Sequence, residues 1–245
     1  MEIITILGDS LALPRQEVTY KDTYAYKLSL KLENRYVVLN RARRGNTTAK
    51  QSSENDAGFL IEDVDYYHQS RFVIIQLGIV DCAPRLFSER ESKLLGSIRP
   101  SFVREKIIGF KSKRRLFFTK HFPLVYVTRD QFLRNYEKLL KRILNRTDAT
   151  RIFLINIADT TRHNKTRSYG FERNIVEYNK VIQELSASSE KVRLVDLHAA
   201  TVRDPDLVLP DGIHIAPAAH NLIADFIHEE ILHCPIVDTS RDLQI

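Results

Sequence analysis

Five short runs of aliphatic and β-branched residues constrain the fold of this chain most: EIITILG (2–8), RYVVLN (35–40), RFVIIQLG (71–78), RIFLINIA (151–158) and VRLVDL (192–197). A strand with one wet face alternates apolar and polar residues, and these runs do not alternate. Continuous apolar runs of this length mark strands covered on both faces. Between the later runs the apolar period lengthens to about 3.6 residues. FLRNYEKLLKRIL puts Phe132, Tyr136, Leu139, Leu140 and Ile143 on one stripe, and FERNIVEYNKVIQEL does the same with Phe171, Ile175, Tyr178, Ile182 and Leu185. A last helix, about 216–233, carries Leu222, Ile223, Phe226, Ile227 and Ile231. Buried strands that alternate with amphipathic helices predict a doubly wound α/β fold, a three-layer sandwich around a five-stranded parallel sheet. A ligand site in such a sheet lies at the carboxyl ends of the strands. The 245 residues fit one domain of this class, 1–245, with no internal repeat or linker-like segment.

One segment exceeds what that architecture needs. Residues 83–128 run between the third strand and its helix, with a capping-box pattern at Ser88 and Glu91, a helical stretch ended by Pro100, and a second near FVREKIIGF. Arg85, Arg90, Lys93, Arg99, Arg104, Lys106, Lys111, Lys113, Arg114, Arg115 and Lys120 concentrate basic charge there. The segment reads as an inserted helical lid or flap. Its charge is either an ordinary solvated face or a means of attracting an anionic substrate over the site.

Charge and cysteine content limit the function classes. Net charge is +6 and the isoelectric point about 9.3, which suits an anionic partner. No zinc-finger spacing and no aromatic-plus-glycine RNA-binding motif occurs, so nucleic acid is not the expected partner. No stretch approaches a membrane span of roughly 18 apolar residues. Glu2 stands where a secretion signal would carry positive charge, and only Cys82 and Cys234 are present, so the expected compartment is the cytoplasm. His220, His228 and His233 lack metal-ligand spacing, and neither metal nor other cofactor is expected.

Ser10 follows the first apolar run in ILGDSLALPR. By position it is either the N-cap of a short helix or a nucleophile. LPDGIHIAPAAH sets Asp211 and His214 three residues apart in a turn. That spacing can bring a carboxylate to Nδ1, fix the imidazole tautomer and leave Nε2 free to take a hydroxyl proton. NRARRGNTT with Gly45 follows the second run, and GIVD with Gly78 and Asp81 follows the third. In a flavodoxin-like strand order, 2-1-3-4-5, both loops flank Ser10 and could aim backbone N–H groups at a bound oxyanion. The Gly-x-Ser-x-Gly elbow of α/β-hydrolases is absent, since Ala12 stands at its second glycine.

These blocks, in this order, resemble the SGNH/GDSL hydrolase family: GDSL at 8–11, the glycine loop at 45, GIVD at 78–81 and DGIH at 211–214. The resemblance implies a serine-dependent hydrolase of acyl esters, carbohydrate O-acyl esters among them. Ser10 would be the nucleophile, His214 the base, Asp211 its orienting carboxylate, and the N–H groups of Ser10 and Gly45 the oxyanion donors. It equally allows acyl transfer to a glycan hydroxyl. The family carries an oxyanion-hole asparagine where this chain has Val80. Removing one such donor costs about 10²–10³ in rate, so a non-catalytic module that binds a glycan or another anion is the competing expectation. Asn46 is the candidate replacement donor. Asp9, Arg44, Asn46, Gly78, Val80 and His163 are the candidate substrate contacts. Asp81 is read as satisfying loop donors, and Cys82 as a small buried residue.

Overall fold

The computed structural model describes residues 2–33, 35–53, 70–146 and 151–234. Its five strands are β1 Glu2–Gly8, β2 Tyr36–Asn40, β3 Ser70–Gln76, β4 Arg151–Ile155 and β5 Val192–Val195. All pair in parallel in the order β2-β1-β3-β4-β5. The continuous apolar runs correspond to the covered centre: Ile4, Ile6 and Leu7 of β1 and Val73, Ile74 and Ile75 of β3 are fully buried. The edge strand β2 is only half-buried along its length, because an edge lacks one neighbouring strand.

Eleven α-helices are described: α1 Tyr24–Lys31, α2 Thr48–Ser52, α3 Ile79–Cys82, α4 Glu89–Ser97, α5 Ser101–Lys113, α6 Arg115–His121, α7 Arg129–Arg146, α8 Arg162–Arg167, α9 Phe171–Ala187, α10 Leu197–Arg203 and α11 Pro217–Leu232. Helices α1 and α11 pack on each other, as do α2 with α7 and α7 with α9. Right-handed crossovers put the first pair on one face and the second group on the other. The stripes expected on α7 and α9 are buried, with Phe132, Tyr136, Ile143, Ile175 and Ile182 fully inaccessible.

Two strands end earlier than their apolar runs. β4 stops at Ile155 because the next residues bond sideways: the Asn156 amide donates to Asp196 Oδ1 at 2.8 Å, and Ile157 N–H donates to Asn179 Oδ1 at 2.8 Å. β5 stops at Val195 because Asp196 caps α10, accepting from Ala199 N–H at 3.0 Å.

Residues 83–128 form three helices, α4 to α6. The capping box at Ser88 and Glu91 is present, and Pro100 separates α4 from α5. The third helix, α6, was not legible as an element, because RRLFFTK has no clear apolar period. Neither α4 nor α5 contains a buried residue.

Candidate active site

Three strand ends and one turn build the site. β1 ends at Gly8, and a 3-10 turn, Ser10–Ala12, begins at once. The cap of that turn is Asp9, not Ser10: Asp9 Oδ1 accepts from Leu11 N–H at 2.9 Å. The capping reading of Ser10 is therefore corrected, and its hydroxyl faces elsewhere. Ser10 Oγ lies 3.1 Å from His214 Nε2.

The imidazole is held by its own turn. Leu209 N–H donates to His214 O at 2.7 Å, Gly212 N–H donates to Leu209 O at 2.8 Å, and Val208 bridges to Ile215. Within the turn, Asp211 Oδ1 accepts from the N–H groups of Ile213 and His214, each at 2.9 Å. Its Oδ2 lies 2.7 Å from His214 Nδ1 and 3.2 Å from Arg15 Nη1. Partial burial pushes the Asp211 carboxyl up. The two backbone donors and the imidazole outweigh that and hold it below the ordinary carboxylate range. It is thus an anion, suited to orient an imidazole and to stabilise its protonated form.

The turn is also clamped from outside. Thr160 Oγ1 donates to Gly212 O at 2.5 Å, and Asn164 Nδ2 donates to Asp211 O at 2.9 Å. These two residues and Arg15 were missed in the sequence. Arg15 sits in the loop straight after LALP, but no local pattern reveals a contact with a residue almost two hundred positions away.

Ser10, Gly45 and Val80 line one cavity of about 480 Å³, joined by Ile213 beside the histidine. Gly45 and Arg44 are exposed at its rim, and the cations Lys50 and Arg85 also face it. Lys50 Nζ lies 3.3 Å from Glu89 Oε1, and Arg85 Nη2 donates to Val80 O at 2.9 Å. Arg85 was legible only as one member of the basic run, because its position at the cavity depends on how the insertion folds back. A separate cavity of about 290 Å³, which includes Leu124 and Tyr178, is lined by neither Ser, Cys nor His.

Four candidate substrate contacts lie elsewhere. Asp9 is buried behind the turn it caps, and burial, with the nearby Asp81 charge, pushes its carboxyl up to about 7. Asn46 is not a spare oxyanion donor: its amide is buried and donates to Gly8 O at 3.1 Å and to Gln51 Oε1 at 2.8 Å. Gly78 has a φ of +140°, and a Cβ there would meet Ile157 at 2.7 Å, so its role is close packing behind the site. His163 is exposed on α8 and does not line the cavity. Asp81 accepts from Thr48 N–H at 2.9 Å and from Thr48 Oγ1 at 2.6 Å, and Cys82 is buried and free. Among the described residues no cluster of His, Cys, Asp and Glu is placed to hold a metal ion, and no helix is long and apolar enough to cross a membrane.

The model of the GDSL-like lipase/acylhydrolase family matches residues 6–222. No curated protein matches the sequence. Among solved structures, the lipase/acylhydrolase from Enterococcus faecalis is similar over 94% of this chain and 95% of its own, with TM-score 0.61 and 18% identity. The acetylxylan esterase from Geobacillus stearothermophilus is similar over 94% of both chains, with TM-score 0.60 and 16% identity. An α/β hydrolase enzyme from the metagenome of Lake Arreo, Spain, covers 94% of this chain and 96% of its own, with TM-score 0.61 and 15% identity. At such identities these likenesses establish the fold.

Proposed function

We propose, since the chain belongs to the GDSL-like lipase/acylhydrolase family, that it is a serine esterase working through Ser10, His214 and Asp211. The carrying observation is the unbroken chain of contacts from Ser10 Oγ to His214 Nε2 at 3.1 Å and from His214 Nδ1 to Asp211 Oδ2 at 2.7 Å. In this mechanism His214 Nε2 takes the Ser10 proton as Oγ attacks the ester carbonyl carbon. The carbonyl oxygen becomes an alkoxide, and the N–H groups of Ser10 and Gly45 are its donors. Collapse of the tetrahedral adduct breaks the bond to the leaving alkoxide, which takes the proton from the imidazolium. A water then attacks the acyl-serine and gives its proton to His214; collapse of this second adduct breaks the bond to Ser10 Oγ, which takes that proton back from the imidazolium, and the carboxylic acid is released. Asp211 stays ionised throughout and stabilises the imidazolium. No cofactor is needed.

The substrate class we favour is a carbohydrate O-acyl ester. The resemblance in sequence blocks and the acetylxylan esterase among the structural relatives support it, as does a cavity that bears the cations Arg44, Lys50 and Arg85. If a sugar hydroxyl replaces water in the second half-reaction, the same residues perform acyl transfer. One observation favours a weakly catalytic or binding role instead: Val80 supplies no side-chain donor at the cavity wall.

Labelling with a fluorophosphonate probe, together with turnover of a nitrophenyl acetate, tests the proposal. The wild type is expected to label and turn over, with both lost in Ser10→Ala and turnover reduced by about 10²–10⁴ in His214→Ala. A folded wild type that neither labels nor hydrolyses would leave the binding role standing.

A further inference from the structure

The insertion is built inside out for a helical flap in water. Its polar side chains tie it together and hold it to the body of the protein. Inside the insertion Arg115 donates to Pro84 O at 2.6 Å and Lys111 Nζ to Leu86 O at 3.1 Å; toward the body Arg115 donates to Ser168 Oγ at 2.6 Å, and Thr119 Oγ1 accepts from Tyr169 N–H at 2.9 Å. Several of its large apolar side chains point outward instead. Leu94, Phe102, Phe110, Leu116, Phe117 and Phe122 are each about half exposed or more, from 49% to 69%. A surface helix of a globular protein ordinarily turns such residues inward. Scattered single apolar residues need no explanation, but a cluster on one module does.

Cations are interleaved with these side chains. Phe102, Lys106, Phe110 and Lys113 follow one another at helical spacing along α5, with Lys106 Nζ 5.6 Å from the Phe102 ring and the Arg114 guanidinium 4.2 Å from the Phe110 ring. Residues 83–128 hold eleven Lys and Arg against three Glu, a net +8, while the whole chain carries +6. All of the positive excess thus resides on the module that exposes the aromatic rings.

We propose that α4, α5 and α6 form a docking surface for an anionic lipid bilayer. Phenylalanine and leucine side chains gain free energy by entering the acyl boundary, while flexible Lys and Arg stems carry their charges back to the lipid phosphates. Charge complementarity selects this occupant. A second copy of the same surface would set +7 against +7, since residues 89–121 hold ten Lys and Arg against three Glu. A nucleic acid would satisfy the cations, but Leu94 and Leu116 offer no flat face for base stacking. The surface adjoins the catalytic cavity, because Arg85, Glu89 and Tyr126 at the roots of the insertion line it. The docking does not depend on the chemistry of Ser10.

The test is co-sedimentation of the full chain with vesicles of phosphatidylcholine alone or mixed with phosphatidylserine. Binding is expected only to the anionic vesicles and should weaken with salt. Neutralising Lys106, Lys113 and Arg114 to Gln should lower the partition coefficient about a hundredfold. Phe110→Ser with Phe117→Ser, both at exposed positions, should lower it at least about tenfold without changing thermal unfolding. Ser10→Ala should bind as the wild type does. No binding to anionic vesicles overturns the proposal, and so does binding that the Phe110 and Phe117 changes leave intact, since a purely ionic site would serve an RNA oligomer equally. Self-association that these two changes abolish, in the absence of lipid, also overturns it and assigns the surface to a second copy. Lost vesicle binding with ester turnover retained refutes docking alone, and the reverse refutes the esterase reading alone.

Discussion

At the residue scale, capping and the contact to His214 fall to neighbouring residues, Asp9 and Ser10. Asp9 caps the turn by accepting from Leu11 N–H, and the Ser10 hydroxyl meets His214 instead. The Asp211–His214 contact was legible because both partners lie within one turn, where spacing determines geometry. The fate of Asn46 was not legible, because its partners, Gly8 O and Gln51, are settled by how two loops meet. With Asn46 committed, Val80 is the natural place to supply a third oxyanion donor. Val80→Asn is expected to raise kcat of ester hydrolysis about tenfold or more with little change in KM, since an oxyanion donor acts on the transition state. Steady-state kinetics on the purified variant check this, and an unchanged or lower kcat would place the Val80 side chain away from the oxyanion.

At the scale of elements, the site depends on the turn between α10 and α11. Gly212 has a φ of +70°, and a Cβ there would run into the Asn164 amide and meet Thr161 Oγ1 at 2.5 Å. Gly212→Ala should therefore displace Asp211 and His214 together. We expect kcat to fall about a hundredfold, as misplacement of about 1 Å can cause, with stability lowered by about 1–2 kcal/mol. Gly96→Ala is the control. It lies in α4 with open space around it, and should stabilise by about 0.5–1 kcal/mol with kcat unchanged. Kinetics and urea unfolding of the two variants separate a local effect on the turn from a general cost of replacing glycine. The central helices were legible for a different reason: α7 and α9 bury one stripe each, and such burial imposes the 3.6-residue period on the sequence. Helix α6 buries only Thr119, so nothing imposed a period on it.

Across the whole molecule, two carboxyls lie under the site rather than in it. Burial pushes Asp9 and Asp81 each up to about 7 from the ordinary 3.8. Between those values the folded protein keeps protons that the unfolded chain has released. The contribution of these groups to stability is therefore full below about pH 4, falls as pH rises to about 7, and is level above. Asp211 has the opposite sign: held below its ordinary value, it adds stability that is lost as pH falls below about 4. Urea midpoints should accordingly decline from about pH 5 to about pH 7, and Asp81→Asn should make that decline shallower. An Asp81→Asn slope as steep as the wild type's would show that Asp81 is ionised in the fold. The sequence by itself determined the sheet, its parallel strands and the order of the blocks along it, because burial on both faces and contacts within one turn leave local patterns. Only the tertiary structure decided that Asp9 caps, that Asn46 is spent on Gly8, that Arg85 reaches the cavity and that the insertion turns its phenylalanines outward. Each of these depends on which distant atoms satisfy a polar group or cover an apolar one, and residue spacing carries no record of that.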